Sequence, residues 1–306
     1  MNSQRKLQDK QQARPETNPR DAASKLPPGL YLVATPIGNL ADITVRALEA
    51  LRACDVIMCE DRRATARLLR HYAITTPTQS YHDHSTASVR TAIIDRLRDG
   101  ARIALVSDAG TPLISDPGYK LVRMAVAEGL HVSALPGACA PVMALSLSGL
   151  PTDRFFFAGF LPPRQSARKA QLRQLAAVPG TLIFFESPRR LAGCLADMAE
   201  IFGDRPAAVA RELSKLFEEV VRGSLPTLAE RYAADGPPKG EIVILIGASE
   251  EVSQQQSEAL ASDLDSRLQT ELAQYRLKEA VARVTADTGL PRKQVYARAL
   301  ALSGQD

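Results

Sequence analysis

Ser107-Asp108-Ala109-Gly110-Thr111-Pro112-Leu113-Ile114-Ser115-Asp116-Pro117-Gly118 follows directly on the apolar run Ile103 to Val106. A short apolar run that stops on Ser-Asp-Ala-Gly-Thr-Pro reads as a buried strand delivering a carboxylate and freed backbone N–H groups to the C-terminal edge of a sheet. In open α/β sheets, small polar ligands bind at that edge. The stretch carries an acid at each end, and the Gly and Pro between them restrict its shape while keeping the backbone approachable. A second loop of this kind, Thr35-Pro36-Ile37-Gly38-Asn39-Leu40, follows the strand-like Leu30 to Ala34. A third, Leu135-Pro136-Gly137-Ala138, follows His131 to Ala134. Three strand-to-loop turns of one style predict one cleft.

Working outward, short apolar runs alternate with helical spacings. Asp42 to Ala53 is spaced as a helix, Asp55 to Cys59 as a strand, and Thr65 to His71 and Ser88 to Arg98 as helices. This alternation predicts an α/β fold with a largely parallel sheet over residues 28–150. Arg154 to Phe157 is aromatic and strand-like, and Gly159-Phe160-Leu161-Pro162-Pro163 reads as a hinge into a second α/β domain over residues 151–248. There Thr181 to Glu186, Ala207 to Arg211, Glu218 to Arg222 and Glu241 to Ile246 are strand-like, and Leu191 to Phe202 is a helix closed by Gly203. Residues 1–27, rich in Gln, Arg, Lys and Pro, are expected to be a disordered basic arm. Glu250 to Ser257 is linker-like. Residues 258–306 read as helices over Leu264–Gln274, Leu277–Thr288 and Lys293–Leu302, with a helix-turn-helix-like break at Thr288-Gly289-Leu290-Pro291.

At 306 residues and 45% hydrophobic, the chain has ample material for more than one core. The formal charge of +4 is too small to announce nucleic acid by itself. Arg and Lys nevertheless cluster at Arg62-Arg63, Arg164 to Arg173, Arg189-Arg190 and Arg276 to Arg298, and such patches either track phosphates or are solvated helix faces. Cys54, Cys59, Cys139 and Cys194 lack paired zinc spacing and suit reduced thiols in a cytoplasmic protein. His82-Asp83-His84 is too small a ligand set for a metal site. No run has the length or apolarity of a membrane span.

The loops also exclude chemistry. GxxxxGK[ST], GxGxxG and GxSxG are all absent, which removes P-loop, nicotinamide and hydrolase-elbow readings. Polar backbone, carboxylates and the apolar residues Ile37, Leu113 and Ile114 suit a cationic, adenine-bearing ligand such as S-adenosylmethionine. Other nucleosides remain open on loop chemistry alone.

Thr35-Pro36-Ile37-Gly38-Asn39-Leu40, Cys59-Glu60-Asp61-Arg62-Arg63, Ser107 to Pro112, Leu135 to Ala138, Phe184-Phe185-Glu186-Ser187-Pro188-Arg189-Arg190, Arg211-Glu212-Leu213-Ser214-Lys215 and Lys239-Gly240-Glu241 occur in this order. Together they resemble the bacterial 16S rRNA cytidine 2′-O-methyltransferases, the rRNA branch of the tetrapyrrole-methylase superfamily. The resemblance runs from about Gly29 to Gly247, and the C-terminal helices resemble that family's helix-turn-helix appendage.

The resemblance implies a two-domain tetrapyrrole-methylase-like (class III methyltransferase) fold, S-adenosylmethionine in the interdomain cleft, and a homodimer acting on a decoding-region cytidine of 16S rRNA in the small ribosomal subunit. It implies that Asp108, Ala109 and Gly110 touch the methionine part of the cofactor. Ile114, Ser115, Pro136, Gly137 and Ala138 would line the same cleft, with Pro36, Ile37 and Gly38 beside them. Phe185, Leu213 and Gly240 would bracket the adenosine. A tetrapyrrole C-methyltransferase shares such a cleft, and a non-enzymatic rRNA-binding assembly factor is a further alternative. For removal of the hydroxyl proton, Glu60, Asp61, Glu186, Glu212 and Lys215 are candidates, with Lys215 or Glu60 favoured and Arg62 and Arg189 on phosphates. A basic Lys215 would need its pKa lowered. The alternative is plain salt bridging, Glu60 with Arg63 and Glu212 with Lys215.

Overall fold

The computed structural model describes residues 26–82, 85–249 and 262–304. The expected N-terminal arm up to residue 25, Asp83 and His84, and the linker-like 250–257 lie outside the described residues.

The first lobe is a five-stranded sheet in the order β3-β2-β4-β1-β5, with every pairing parallel. Its strands are β1 (Gly29–Val33), β2 (Val56–Cys59), β3 (Thr78–Ser80), β4 (Arg102–Val106) and β5 (Val132–Leu135). Between them run α1 (Val45–Ala53), α2 (Arg62–His71), α3 (Ala87–Arg98) and α4 (Tyr119–Ala127). Local chemistry sets the helix starts. Thr44 accepts from the Ala47 amide at 3.1 Å and Asp61 from the Arg63 amide at 2.7 Å, satisfying donors that a helix leaves unpaired. Thr44 therefore begins α1 later than the hydrophobic spacing suggests, and a 3-10 turn, Leu40–Asp42, fills the gap. One core lies on each face, one around Val33, Leu51 and Ile57, the other around Leu30, Met58 and Leu121. The fully covered central strands explain the continuous apolar runs at 56–59 and 103–106.

The second sheet is mixed, in the order β6-β7-β10-β8-β9. It comprises β6 (Phe155–Phe160), β7 (Thr181–Glu186), β8 (Pro206–Arg211), β9 (Glu219–Ser224) and β10 (Ile242–Ile246), of which only β6 and β7 pair in parallel. The helices α6 (Gln165–Leu175), α7 (Leu191–Phe202) and α8 (Leu225–Asp235) cover one face around the fully buried Phe184. On the other face lies α5 (Ala140–Ser148), whose Ala144 and Leu145 pack with Ile183, Ala208, Val243 and Leu245. Although α5 precedes residue 150 in the chain, its packing partners are in this second sheet.

Two expectations need correction. The Gly159-Phe160 pair is not a hinge: β6 continues through Phe160, with a bulge between Phe157 and Gly159, and the chain crosses between lobes before Phe155. Nor is the Arg164–Arg173 cluster uniformly a solvated or phosphate-facing patch. Arg168 is buried, its guanidinium 2.6 Å from the buried Asp197, and Lys169 pairs with Glu200 at 2.5 Å.

Beyond the sheets, a helix over 262–272 (α9), α10 (Leu277–Thr288) and α11 (Arg292–Ser303) share a small core of Leu264, Leu268, Val281, Val284 and Val295. Gly289, with φ +68°, closes α10 in the left-handed conformation. No helix among the described residues is long and apolar enough to cross a membrane.

Candidate active site

The loops after β1, β4 and β5 are joined by hydrogen bonds into one surface. Thr35 and Gly110 exchange both backbone hydrogen bonds, at 2.9 and 3.0 Å. The Thr35 hydroxyl donates to the Ser107 carbonyl at 3.1 Å, and the Thr111 hydroxyl to the Ala138 carbonyl at 2.9 Å. Gly110, with φ +83°, turns the chain there. Leu113 and Ser115 also adopt positive φ, 73° and 63°, in the same loop. Such conformations cost energy in residues with a Cβ, and they concentrate where surrounding structure holds them for function.

Facing this surface, a cleft of about 450 Å³ opens between the lobes. Ile37, Asp108, Ala109, Gly110, Ile114 and Ser115 line it from the first lobe. Phe185, Leu213 and Gly240 line it from the second. These nine sequence-predicted residues are thus brought together. Pro36, Gly38, Pro136, Gly137 and Ala138 are not among the lining residues, although they belong to the same loops. Gly137 approaches Ala34 so closely that a Cβ would lie 2.7 Å from the alanine methyl, and Ala138 supplies the carbonyl that Thr111 uses. Gly38 lies against the second lobe, where a Cβ would overlap Lys215 Cγ.

Several lining residues escaped the sequence reading of the site. Phe160, Cys139 and Glu241 are among them, together with Asp116, the far acid of the opening stretch. The matching acids at the two ends of that stretch were the available signal for Asp116. Phe160 had none, because its direction depends on the bulge.

Carboxylates are the charged side chains of the lining, and two of them are ion-paired to cations outside it, Glu186 to Arg190 and Glu241 to Lys215. Asp108, Asp116, Glu186 and Glu241 contribute carboxylates, and among the described residues no Lys, Arg or His belongs to the lining. Asp108 uses one oxygen to accept from the Asp61 amide at 3.0 Å, tying the cleft loop to the start of α2. Glu186 is buried, accepts from the Ser187 amide at 2.7 Å and pairs with Arg190 at 3.1 Å.

Leu213 projects from a turn held by charge. Its neighbours Glu212 and Ser214 both have positive φ, 50° and 65°. Lys215 Nζ donates to Glu212 at 2.7 Å and to Glu241 at 2.9 Å, and the Ser214 amide donates to Glu218 at 2.7 Å. The Ser214 hydroxyl donates across the lobes to Asp42. Burial pushes the Lys215 pKa down, but the bonds and charges of Glu212 and Glu241 outweigh it and hold the ammonium above its ordinary range. The hydrogen bond from Lys215 leads in lowering Glu212, against an opposing effect of burial. A neutral, proton-accepting Lys215 is therefore the opposite of what this geometry stabilises, and the salt-bridge alternative between Glu212 and Lys215 describes the pair.

Glu60 is exposed and does not line the cleft, although it adjoins Asp61, whose amide reaches Asp108. Arg62 and Arg189 are exposed outside it, with Arg62 Nε donating to Thr78 Oγ1 at 3.2 Å. The cysteines are free thiols, and burial pushes Cys54 up to about 12, so it is protonated at neutral pH.

Comparison with known proteins agrees with this architecture. The profile for Tetrapyrrole (Corrin/Porphyrin) Methylases matches residues 29–229, two-thirds of the chain. The chain belongs to the tetrapyrrole methylase family. A second profile, RsmI C-terminal HTH domain, matches residues 258–303. Within the family, the chain is 49% identical over 283 residues to the ribosomal RNA small subunit methyltransferase I of Erythrobacter litoralis, covering 92% of this chain and 98% of that protein. The protein of the same name from Mesorhizobium japonicum is 48% identical over 281 residues, covering 92% and 94%. Among solved structures, a diphthine synthase superposes with a TM-score of 0.55 at 15% identity, covering 71% of this chain and 89% of that one, which is a likeness of fold.

Proposed function

We propose that this protein transfers a methyl group from S-adenosylmethionine to the ribose 2′-hydroxyl of a cytidine in the decoding region of 16S rRNA, with S-adenosylhomocysteine as the leaving group and the hydroxyl proton passing to solvent. The observation that carries the cofactor assignment is the cleft lining, which among the described residues holds carboxylates and apolar side chains and no cation. A sulfonium bearing an ammonium group is favoured in such a field, whereas a nucleoside phosphate would meet like charge. The curated relatives carry ribosomal RNA in their names, and this supports the substrate class.

When bound, S-adenosylmethionine supplies an electrophilic methyl group on sulfur. The residues here do the holding. Asp108, Ala109 and Gly110 take the amino-acid end through a carboxylate and backbone groups. Ile37, Phe185, Leu213 and Gly240 form the dry slot for the adenosine, and Ile114 and Ser115 close the first-lobe side. Alignment of the hydroxyl with the methyl group can supply about 7–11 kcal/mol in well-oriented systems, so positioning is the main contribution asked of this cleft. Lys215 serves it by holding the Leu213 turn rather than by taking a proton. Arg62 and Arg189, outside the cleft, are assigned to rRNA phosphates, with Arg292 and Lys293 at the start of α11. The enzyme is assigned to the cytoplasm as a homodimer, which light scattering will test.

Neither alternative reading fits as well. An acidic macrocycle would have to lie within a cleft whose described lining holds no cation, whereas rRNA phosphates are held outside it, and a vestigial cleft has no use for so many residues with strained backbones. The deciding experiment is methyl transfer from labelled S-adenosylmethionine to small subunits lacking their own methylation, with nuclease mapping. A 2′-O-methylcytidine in the decoding region is expected. Tight cofactor binding without any transfer to rRNA would reject the substrate.

A further inference from the structure

Along a regular strand, residues three apart point to opposite faces. Phe157 and Phe160 do not. Both pack on Phe185, with ring centroids 5.0 and 5.4 Å away. The cause is the bulge between Phe157 and Gly159, where Gly159 takes φ +67° and the pairing register with β7 shifts. An extra residue in one strand turns every later side chain over, and bulges beside active sites re-aim side chains in this way. Here Phe160 is turned into the cleft.

The mount is rigid. Arg190 Nη2 donates to the carbonyls of Leu161 and Pro162 at 2.7 and 3.2 Å, and Leu161 is buried, so the chain leaving Phe160 is fixed. Across the cleft, Gly159 faces the first lobe closely enough that a Cβ would lie 3.4 Å from Ser115 Oγ. Yet Phe160 itself is 58% exposed. A bulge at Gly159 and a fixed exit thus hold a large aromatic face in water, at the open side of a cleft whose other aromatic, Phe185, is half-buried beneath it.

We infer that Phe160 is the shelf on which the acceptor nucleobase stacks, positioning the ribose for methyl transfer, an inference that rests on the proposed rRNA methylation. Among the described residues the cleft lining has no cation with which to grip RNA, since Arg190 and Lys215 at its margin are engaged by Glu186 and Glu241, and a neutral pyrimidine ring needs none. Unpaired bases splayed from RNA are recognised mainly by stacking on aromatic rings, while phosphates are held elsewhere. Phe185 lies inward with Leu213 and Gly240 and serves the cofactor; Phe160 lies outward and serves the acceptor.

The test is steady-state methylation of unmethylated small subunits, paired with calorimetric binding of S-adenosylhomocysteine. Phe160→Ala is expected to raise KM for subunits about 5- to 150-fold, the range that base–aromatic stacking spans, with binding of S-adenosylhomocysteine changed less than about two-fold. Phe160→Tyr, which keeps the ring, should retain the wild-type KM; Phe160→Leu, which keeps only apolar bulk, should resemble the alanine variant. Unchanged KM in Phe160→Ala, rescue by Phe160→Leu, or an equal loss of S-adenosylhomocysteine binding would overturn the shelf. Absence of transfer by the wild-type enzyme would instead reject the underlying function, so the two failures are separable.

Discussion

In the first lobe, the cleft wall is assembled by the backbone. Parallel strands end together, and the paired bonds between Thr35 and Gly110 join loops far apart in sequence. In the second lobe, the wall is assembled by charged side chains: Lys215 with Glu212 and Glu241, Arg190 with Glu186, and Arg211 with Glu219 at 3.1 Å. Backbone bonds are indifferent to pH and little affected by salt, whereas exposed or half-exposed ion pairs respond to both. The two halves of one site should therefore fail under different conditions.

The largest expected effect lies behind the second wall. Asp197→Ala leaves the Arg168 guanidinium buried without its carboxylate, and breaking such a pair costs about 3–5 kcal/mol. Thermal denaturation should show a large loss of stability, while removal of the more exposed Asp55, 2.8 Å from Arg102 in the first lobe, should cost about 1 kcal/mol or less. Equal losses would erase the contrast between the lobes.

Gly240→Ala comes next. Its φ is +97° and a Cβ would overlap the Glu212 carboxylate, so the substitution disturbs the turn that carries Leu213. Strain of this kind costs about 1–3 kcal/mol, and calorimetry should show weaker binding of S-adenosylhomocysteine as well as a lower Tm. In the first lobe, Asp108→Ala should weaken that binding about 10- to 100-fold, the scale of a charged hydrogen bond, with little change in Tm. Unaltered binding would remove Asp108 from the cofactor site.

The smallest effects are those of pH. Burial would raise the Asp197 pKa, but hydrogen bonds from Gln165 and Arg168 win and lower it; Glu212 is lowered chiefly by Lys215, and Asp55 chiefly by Arg102. Carboxylates with depressed folded-state values contribute stability above their unfolded values near pH 4 and lose it as pH falls through the folded ones. Circular dichroism should therefore show stability declining below about pH 4. Lys215→Ala should remove part of the acid dependence and leave the neutral-range pH–rate profile unshifted. A shifted profile would return Lys215 to proton transfer.

The same contrast explains what could be read from the sequence. β1, β2 and β4 stood out because each is a buried, mainly apolar run that ends on a loop or a charged turn, and β5, only partly buried, stood out by the Pro-Gly turn that follows it. β3 escaped as three residues, Thr78-Gln79-Ser80, with little burial. α5 is almost wholly small or apolar and lacks a polar face to mark its period. α6 hides its core position under a charge, since Arg168 is buried through Asp197. The nine cleft residues that coincide with expectation lie in strand-end motifs; Phe160 does not, because a one-residue bulge reverses alternation without changing composition. The Glu212–Lys215 pair was legible as a salt bridge three residues apart, whereas Glu241, 26 residues from Lys215, is brought to it only by the fold.

β10 is the last strand among the described residues and lies between β7 and β8 at the centre of its sheet. During synthesis, the first sheet can close as soon as β5 has emerged, whereas β7 and β8 must wait, unpaired with each other, for residues 242–246. Domains fold largely in order of emergence. Cofactor binding is thus withheld until nearly the whole two-lobed body has left the ribosome, and a chain cut short before Ile242 will carry half a site on an incomplete second lobe.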